Sequence, residues 1–223
     1  MQGDIVHICN RGVNKEKIFL NEKDYRRFVE SLYRFNNKDG ALRFEGADLF
    51  LAPPPQTPIV DILKWSLLPN HYHLLLHERV AGGVIDFIKR MGNGYTKYFN
   101  TKYERSGYLF QNKAKMVQIK NDSQFLYIPF YVALNPLDLF DENWRISGIT
   151  SPDRAMAFLK NYEWSSMRHQ CDTAYSCVAN HQLFNELFET TPAGFAREMA
   201  AHITSESLVE AAFTQDVLEN GLK

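Results

Sequence analysis

The chain has 223 residues, 45% of them hydrophobic and 23% charged, with a formal net charge of −1. That balance excludes an intrinsically disordered chain and suits one good-sized globular domain with an appendage. No apolar run approaches the roughly 18 residues that a membrane span needs, and the N-terminus has neither the basic start nor the apolar core of a signal peptide, so no membrane partner and a cytoplasmic location are expected.

In chain order, Val6 to Asn10 reads as a short strand ending in a turn at Asn10-Arg11-Gly12, with Ile18-Phe19-Leu20 packed beside it. Asn21 is placed to cap a helix in which Tyr25, Phe28, Val29, Leu32, Tyr33 and Phe35 recur at helical spacing, until Asn36-Asn37-Lys38-Asp39-Gly40 stops the pattern. An insertion follows, from about residue 37 to 59. Within it Pro53-Pro54-Pro55 cannot sit inside a helix or a central strand, so Ala41 to Pro58 reads as a loop or a small flap. Val60 to Leu68 and His71 to His77 are strands joined tightly at Pro69-Asn70, which makes the histidine strand central.

A second helix starts at Gly83, with Val84, Phe87, Ile88, Met91, Tyr95, Tyr98 and Phe99 on one stripe. Gly92 and Gly94 each cost about 1 kcal/mol relative to Ala in a helix interior, which predicts a bend or a break there. Asn112 to Ile119 reads as another strand, and a third helix follows from a cap at Asp122 or Ser123, with Pro129 predicting a late start or a kink. The first six elements spell a ferredoxin-like α+β sandwich, an antiparallel sheet with helices on one face, over residues 1–140. Residues 141–223 read as a C-terminal helical appendage with helices at Ala155–Leu159, Phe184–Phe188 and Pro192–His202. Trp164-Ser165-Ser166 is placed to hold that appendage through its indole. The three cysteines, Cys9, Cys171 and Cys177, are odd in number and lack metal-ligand spacing, which argues against a disulfide scaffold or a zinc ribbon.

Chemistry concentrates in three places. His71 and His73 are two residues apart in an apolar strand, so alternation points both imidazoles from one face, as a pair of ligands for a divalent cation requires. The bland alternative is one core histidine beside one solvent-facing histidine. Between Lys89 and Lys120 eight basic residues (Lys89, Arg90, Lys97, Lys102, Arg105, Lys113, Lys115 and Lys120) face the single acid Glu104, with Tyr95, Tyr98, Phe99, Tyr103, Tyr108 and Phe110 among them. Such a mixture suits nucleic acid, the cations tracking phosphates and the rings stacking on unpaired bases, and suits equally a solvated helix face backed by core aromatics. Finally, Tyr127, Tyr131 and Asn135 follow one another at i, i+4 on the third helix, so a phenol and a carboxamide share a face. If that face lies over the histidine strand, Asn135 offers a carbonyl oxygen to an ion and Tyr131 aims at a phosphate. Tyrosine attacks only when its proton, with a pKa of about 10, is removed or offset by nearby positive charge.

These residues resemble the single-tyrosine HUH transposases of small bacterial insertion sequences, in the branch called REP-associated tyrosine transposases. The segments carrying the resemblance are Asn10-Arg11-Gly12 with Ile18-Phe19-Leu20, Leu68-Pro69-Asn70-His71-Tyr72-His73-Leu74-Leu75-Leu76, Tyr95-Thr96-Lys97-Tyr98-Phe99-Asn100 and Gly107-Tyr108-Leu109-Phe110-Gln111-Asn112. Tyr131-Val132-Ala133-Leu134-Asn135-Pro136 and Trp164-Ser165-Ser166 complete it.

The resemblance implies a metal-dependent DNA transposase that cuts and rejoins single-stranded or hairpin DNA through a 5′-phosphotyrosine intermediate, without ATP, and that is associated with the nucleoid. It implies Tyr131 as nucleophile, with His71, His73 and Asn135 as ligands of Mg²⁺ or Mn²⁺. It further implies Arg11, Lys89, Arg90, Tyr95, Lys97, Lys102, Arg105, Gln111, Lys113 and Lys115 as DNA contacts. The alternative is a DNA-binding descendant of such an enzyme without its chemistry. Monomer and homodimer are both compatible with the sequence. An RNA-binding module lacks its aromatic strand signature, and a zinc hydrolase lacks a His-Glu-x-x-His or cysteine set.

Overall fold

The computed structural model describes residues 3–42, 55–168 and 177–204. Most of the Ala41–Pro58 stretch, Cys171 and the C-terminal end of the appendage lie outside them.

Four strands, β1 (Ile5–Arg11), β2 (Val60–Leu68), β3 (His71–Glu78) and β4 (Lys115–Gln118), form one antiparallel sheet in the order β2-β3-β1-β4. The histidine strand is therefore internal, as expected, and its turn lies where Pro69-Asn70 placed it. Strand β4 is shorter than the Asn112–Ile119 expectation.

Helix α1 (Glu22–Arg34) opens with a reciprocal cap: Asn21 accepts from Lys23 N, and Asp24 accepts from Leu20 N and Asn21 N at 2.8 and 3.2 Å. Helix α2 (Gly83–Lys102) runs unbroken through Gly92 and Gly94. The reason at Gly94 is contact: a Cβ there would stand 2.4 Å from Cζ of Phe35, so the missing side chain lets the Phe35 ring seat against the α2 backbone. Helices α1 and α2 cover one face of the sheet, burying Phe28, Val29, Leu32, Phe87, Met91 and Tyr95 against Ile8, Tyr72, Leu74 and Leu76.

The opposite face is covered too. Helix α3 (Asp122–Leu134) starts at a cap on Asn121, whose side chain accepts from Gln124 N at 2.8 Å, one residue before the expected caps, and it continues through Pro129. From Ile128 to Leu134 every residue is buried, so this half has no solvent side. A 3₁₀ turn (Asn135–Leu139) and helices α4 (Trp144–Ser147), α5 (Pro152–Asn161), α6 (His181–Leu187) and α7 (Pro192–Thr204) complete this layer.

Burial on both faces explains why β2 is buried at all nine positions and reads as a run rather than an alternation. The Trp164-Ser165-Ser166 segment ties the C-terminal part on by backbone as well as by its ring. Leu67 N donates to Trp164 O at 2.8 Å and Ser166 N to Trp65 O at 2.9 Å, covering the open edge of β2, while the indole stacks on Tyr25 at 4.8 Å.

Candidate active site

The face of the sheet beneath α3 carries an unusual set of buried polar groups. Sheet register places Arg11 opposite His71 and Cys9 opposite His73, so His7, Cys9 and Arg11 of β1 share a face with His71 and His73 of β3. The rings of His71 and His73 are 5.1 Å apart, and both are buried. Nδ1 of His71 lies 2.6 Å from the side-chain oxygen of Asn70, which leaves its Nε2 for another partner. Nδ1 of His73 lies 3.0 Å from Nε2 of His7, a residue that the sequence had not singled out.

From the other layer, α3 delivers Tyr131. Its ring is 5.4 Å from those of His73 and His7, nearly perpendicular to both. Tyr127, one turn earlier, is 6.2 Å from the Tyr131 ring and leans toward His202 instead. Arg145 of α4, which the sequence also left unmarked, holds its guanidinium carbon 5.7 Å from the centre of the Tyr131 ring, anchored by Asp138 at 3.2 Å. Asn135 is placed differently from expectation. Its amide donates to the Tyr131 carbonyl at 2.8 Å and its oxygen accepts from Arg145 at 3.2 Å, so that oxygen is occupied by a cationic side chain.

All three imidazoles are neutral near pH 7. Burial, reinforced by Lys115, pushes His7 down to about 3. Burial, then Arg11 and Arg145, pushes His71 down to about 3, and burial, His71, His7 and the two arginines hold His73 well below its ordinary range. A neutral imidazole is the form that ligates a metal. Nε2 of His73 is buried without a hydrogen-bond partner, as an orphaned lone pair awaiting a ligand would be. Among the described residues no cluster of three or more His, Cys, Asp or Glu forms a closed cage. Two imidazoles are too few to fill a divalent cation's shell, so a cation held by them would take the rest of its ligands from substrate oxygens and water. Arg11, Arg145 and Lys115 around the histidines favour an anion such as a phosphodiester.

The ten DNA-contact positions do not form one surface. Lys89, Gln111 and Lys113 line a groove of about 640 Å³ between α2 and the 107–114 loop, with Tyr108 88% exposed at its side. That groove opens on the α2 face of the sheet, the face opposite the histidines, since Tyr72 and Met116 on its wall alternate with the residues facing α3. Lys97 is exposed on α2, and Arg11 and Lys115 belong to the histidine face.

Tyr95 needs correcting, and three of the cations are paired within the fold. Tyr95 is wholly buried and donates its hydroxyl to Ile18 O at 2.6 Å, so it is a core residue that no base can reach. Lys102 pairs with buried Asp24 at 2.6 Å, Arg90 pairs with Asp86 and donates to Asn37 O at 2.8 Å, and Arg105 lies 3.8 Å from Glu16. Their charges are at least partly neutralised within the fold.

No protein-family model matches this chain, and no curated protein does. Among solved structures the chain is similar to a REP-associated tyrosine transposase bound to a REP hairpin, with a TM-score of 0.45 and 12% identity, over 76% of this chain and 80% of that one. No helix among the described residues is long and apolar enough to cross a membrane.

Proposed function

We propose that this chain is a metal-dependent tyrosine transposase that cleaves and rejoins single-stranded, hairpin-forming DNA. One observation carries the reading: Tyr131, from a helix, stands 5.4 Å ring to ring from His73 on the central strand, where it shares the face that carries both His71 and His73. The sequence motifs that resemble HUH transposases fall on these same residues.

In this reading the Tyr131 oxygen attacks a backbone phosphorus. The bond to the 3′ oxygen breaks, and the 5′ phosphate stays on the tyrosine. The phenolic proton lost from Tyr131 is balanced by the one gained by the departing 3′ hydroxyl, so neither water nor ATP is consumed. Attack by another 3′ hydroxyl reverses the step and rejoins strands. Arg11 and Arg145 hold the phosphate and offset charge on the phenolate. His71 and His73 would hold Mg²⁺ or Mn²⁺, which when bound polarises the phosphoryl oxygen as a Lewis acid. Asn135 would join them once Arg145 turns to the phosphate. Gln111, Lys113 and Lys89, in the groove on the other face of the sheet, would hold a further part of the DNA.

A second reading, a protein that binds DNA without cutting it, is favoured by the burial of Tyr131, which is 1% exposed. A phosphodiester reaches that phenol only if part of the layer packed around it moves. Incubation with labelled single-stranded hairpin DNA and Mg²⁺ or Mn²⁺ separates the two. The transposase forms an adduct that survives denaturation and that Tyr131→Phe abolishes while DNA binding persists. Binding without any adduct in the unsubstituted protein sinks the proposal in favour of the second reading.

A further inference from the structure

The geometry points to His7 as a positioning residue, one that accepts the Nδ1 proton of His73 in the tautomer whose Nε2 lone pair a cation takes. The inference rests on the role given to His73 above. The His7 and His73 rings are parallel to within 5°, but their centres are 5.3 Å apart while the facing nitrogens are 3.0 Å apart. The centres exceed the nitrogen separation by about one ring diameter, so the rings lie end to end near one plane, joined by a hydrogen bond rather than stacked by their faces.

One proton occupies the gap between the two nitrogens, and each ring is neutral, so two arrangements exist. With the proton on Nε2 of His7, His73 must carry its own proton on Nε2, and no lone pair of His73 faces outward. With the proton on Nδ1 of His73, His7 accepts it and carries its own on Nδ1, while Nε2 of His73 becomes a ligand. Both Nδ1 of His7 and Nε2 of His73 are buried without hydrogen-bond partners, so the metal-free protein has one orphan donor and one orphan acceptor in either arrangement. Nothing else in the pair favours one tautomer, and a cation at Nε2 of His73 selects the second. The same nearly coplanar pair forms a plate against which the Tyr131 ring stands at 86° and 87°. A group at position 7 thereby sets both the ligand and the flank of the phenol without touching either substrate or cation.

Two measurements on the whole chain test this. Zn²⁺ serves as the probe ion, its affinity read by calorimetry, and imidazole ¹⁵N shifts read the tautomer. The expected result is that His7→Phe, which keeps a flat ring but accepts nothing, weakens Zn²⁺ binding about 10- to 100-fold. His7→Gln, whose amide oxygen can accept from Nδ1, should restore most of the affinity. In the unsubstituted protein Zn²⁺ should place the His73 proton on Nδ1, a readout that does not depend on either variant folding. Equal affinities for the two variants and the parent, or a His73 proton on Nε2 in the Zn²⁺-loaded protein, overturn the role of His7. If the parent binds Zn²⁺ and His73→Ala loses it while His7→Phe does not, only this inference fails. If the parent binds no cation at all, the ligand reading of His73 fails with it.

Discussion

Acid should destabilise the metal-free protein well above the pH at which its carboxylates titrate, because three imidazoles are buried in neutral form. His7 and His71 fall from an ordinary value of 6.5 to about 3 on folding. Between those limits the unfolded chain binds protons that the native chain refuses, so stability rises with pH through that window and is lost as pH falls through it. At 1.36 kcal/mol per unit, each ring withdraws roughly 2–3 kcal/mol by pH 4.5, and the two together withdraw about 5 kcal/mol, with His73 acting in the same direction.

A domain of ordinary stability, about 5–15 kcal/mol, would lose a large part of its margin. The assay is urea unfolding of EDTA-treated protein at steps from pH 7.0 to 4.5, a range above most carboxylate titration. The transition should move to lower urea as pH falls, and His7→Gln should flatten the dependence by one ring's share. A midpoint that stays constant from pH 6.5 to 4.5 would mean that the imidazoles are already solvated or charged in the native state. That result would remove the basis for treating them as poised ligands.

Gly94→Ala should destabilise the fold by about 1–3 kcal/mol despite the helix propensity of alanine, since the new Cβ meets Phe35; a rise in melting temperature would refute the close packing. Asp24→Asn should cost on the order of 2–4 kcal/mol, because this wholly buried carboxylate receives Lys102 at 2.6 Å, Tyr103 at 2.7 Å, Tyr98 at 3.0 Å and two backbone N–H groups. Thermal melts at pH 7 check it, and a loss under about 0.5 kcal/mol would show the network to be surface-like.

Local pattern carried much of the architecture. The two apolar runs around the Pro69-Asn70 turn place β2 and β3 nearly to the residue, and the period-3.6 repeat over residues 21–34 places α1, because a helix with one buried face writes its period into its own sequence. Strand alternation set His71 and His73 side by side, and the i, i+4 step put Tyr131 and Asn135 on one helix. Other features were beyond local pattern for a physical reason: they are contacts between chain segments far apart in sequence. His7 meets His73 only through the β1–β3 register, and Arg145 reaches Tyr131 only because α4 folds back over α3. Tyr95 and Tyr108 look alike in a basic, aromatic segment, yet packing buries the first and exposes the second. The type of the main elements and the adjacency of the paired imidazoles were thus legible in the sequence alone. The company those imidazoles keep was decided only when two layers closed over a sheet buried on both faces, where any polar group without a partner is costly.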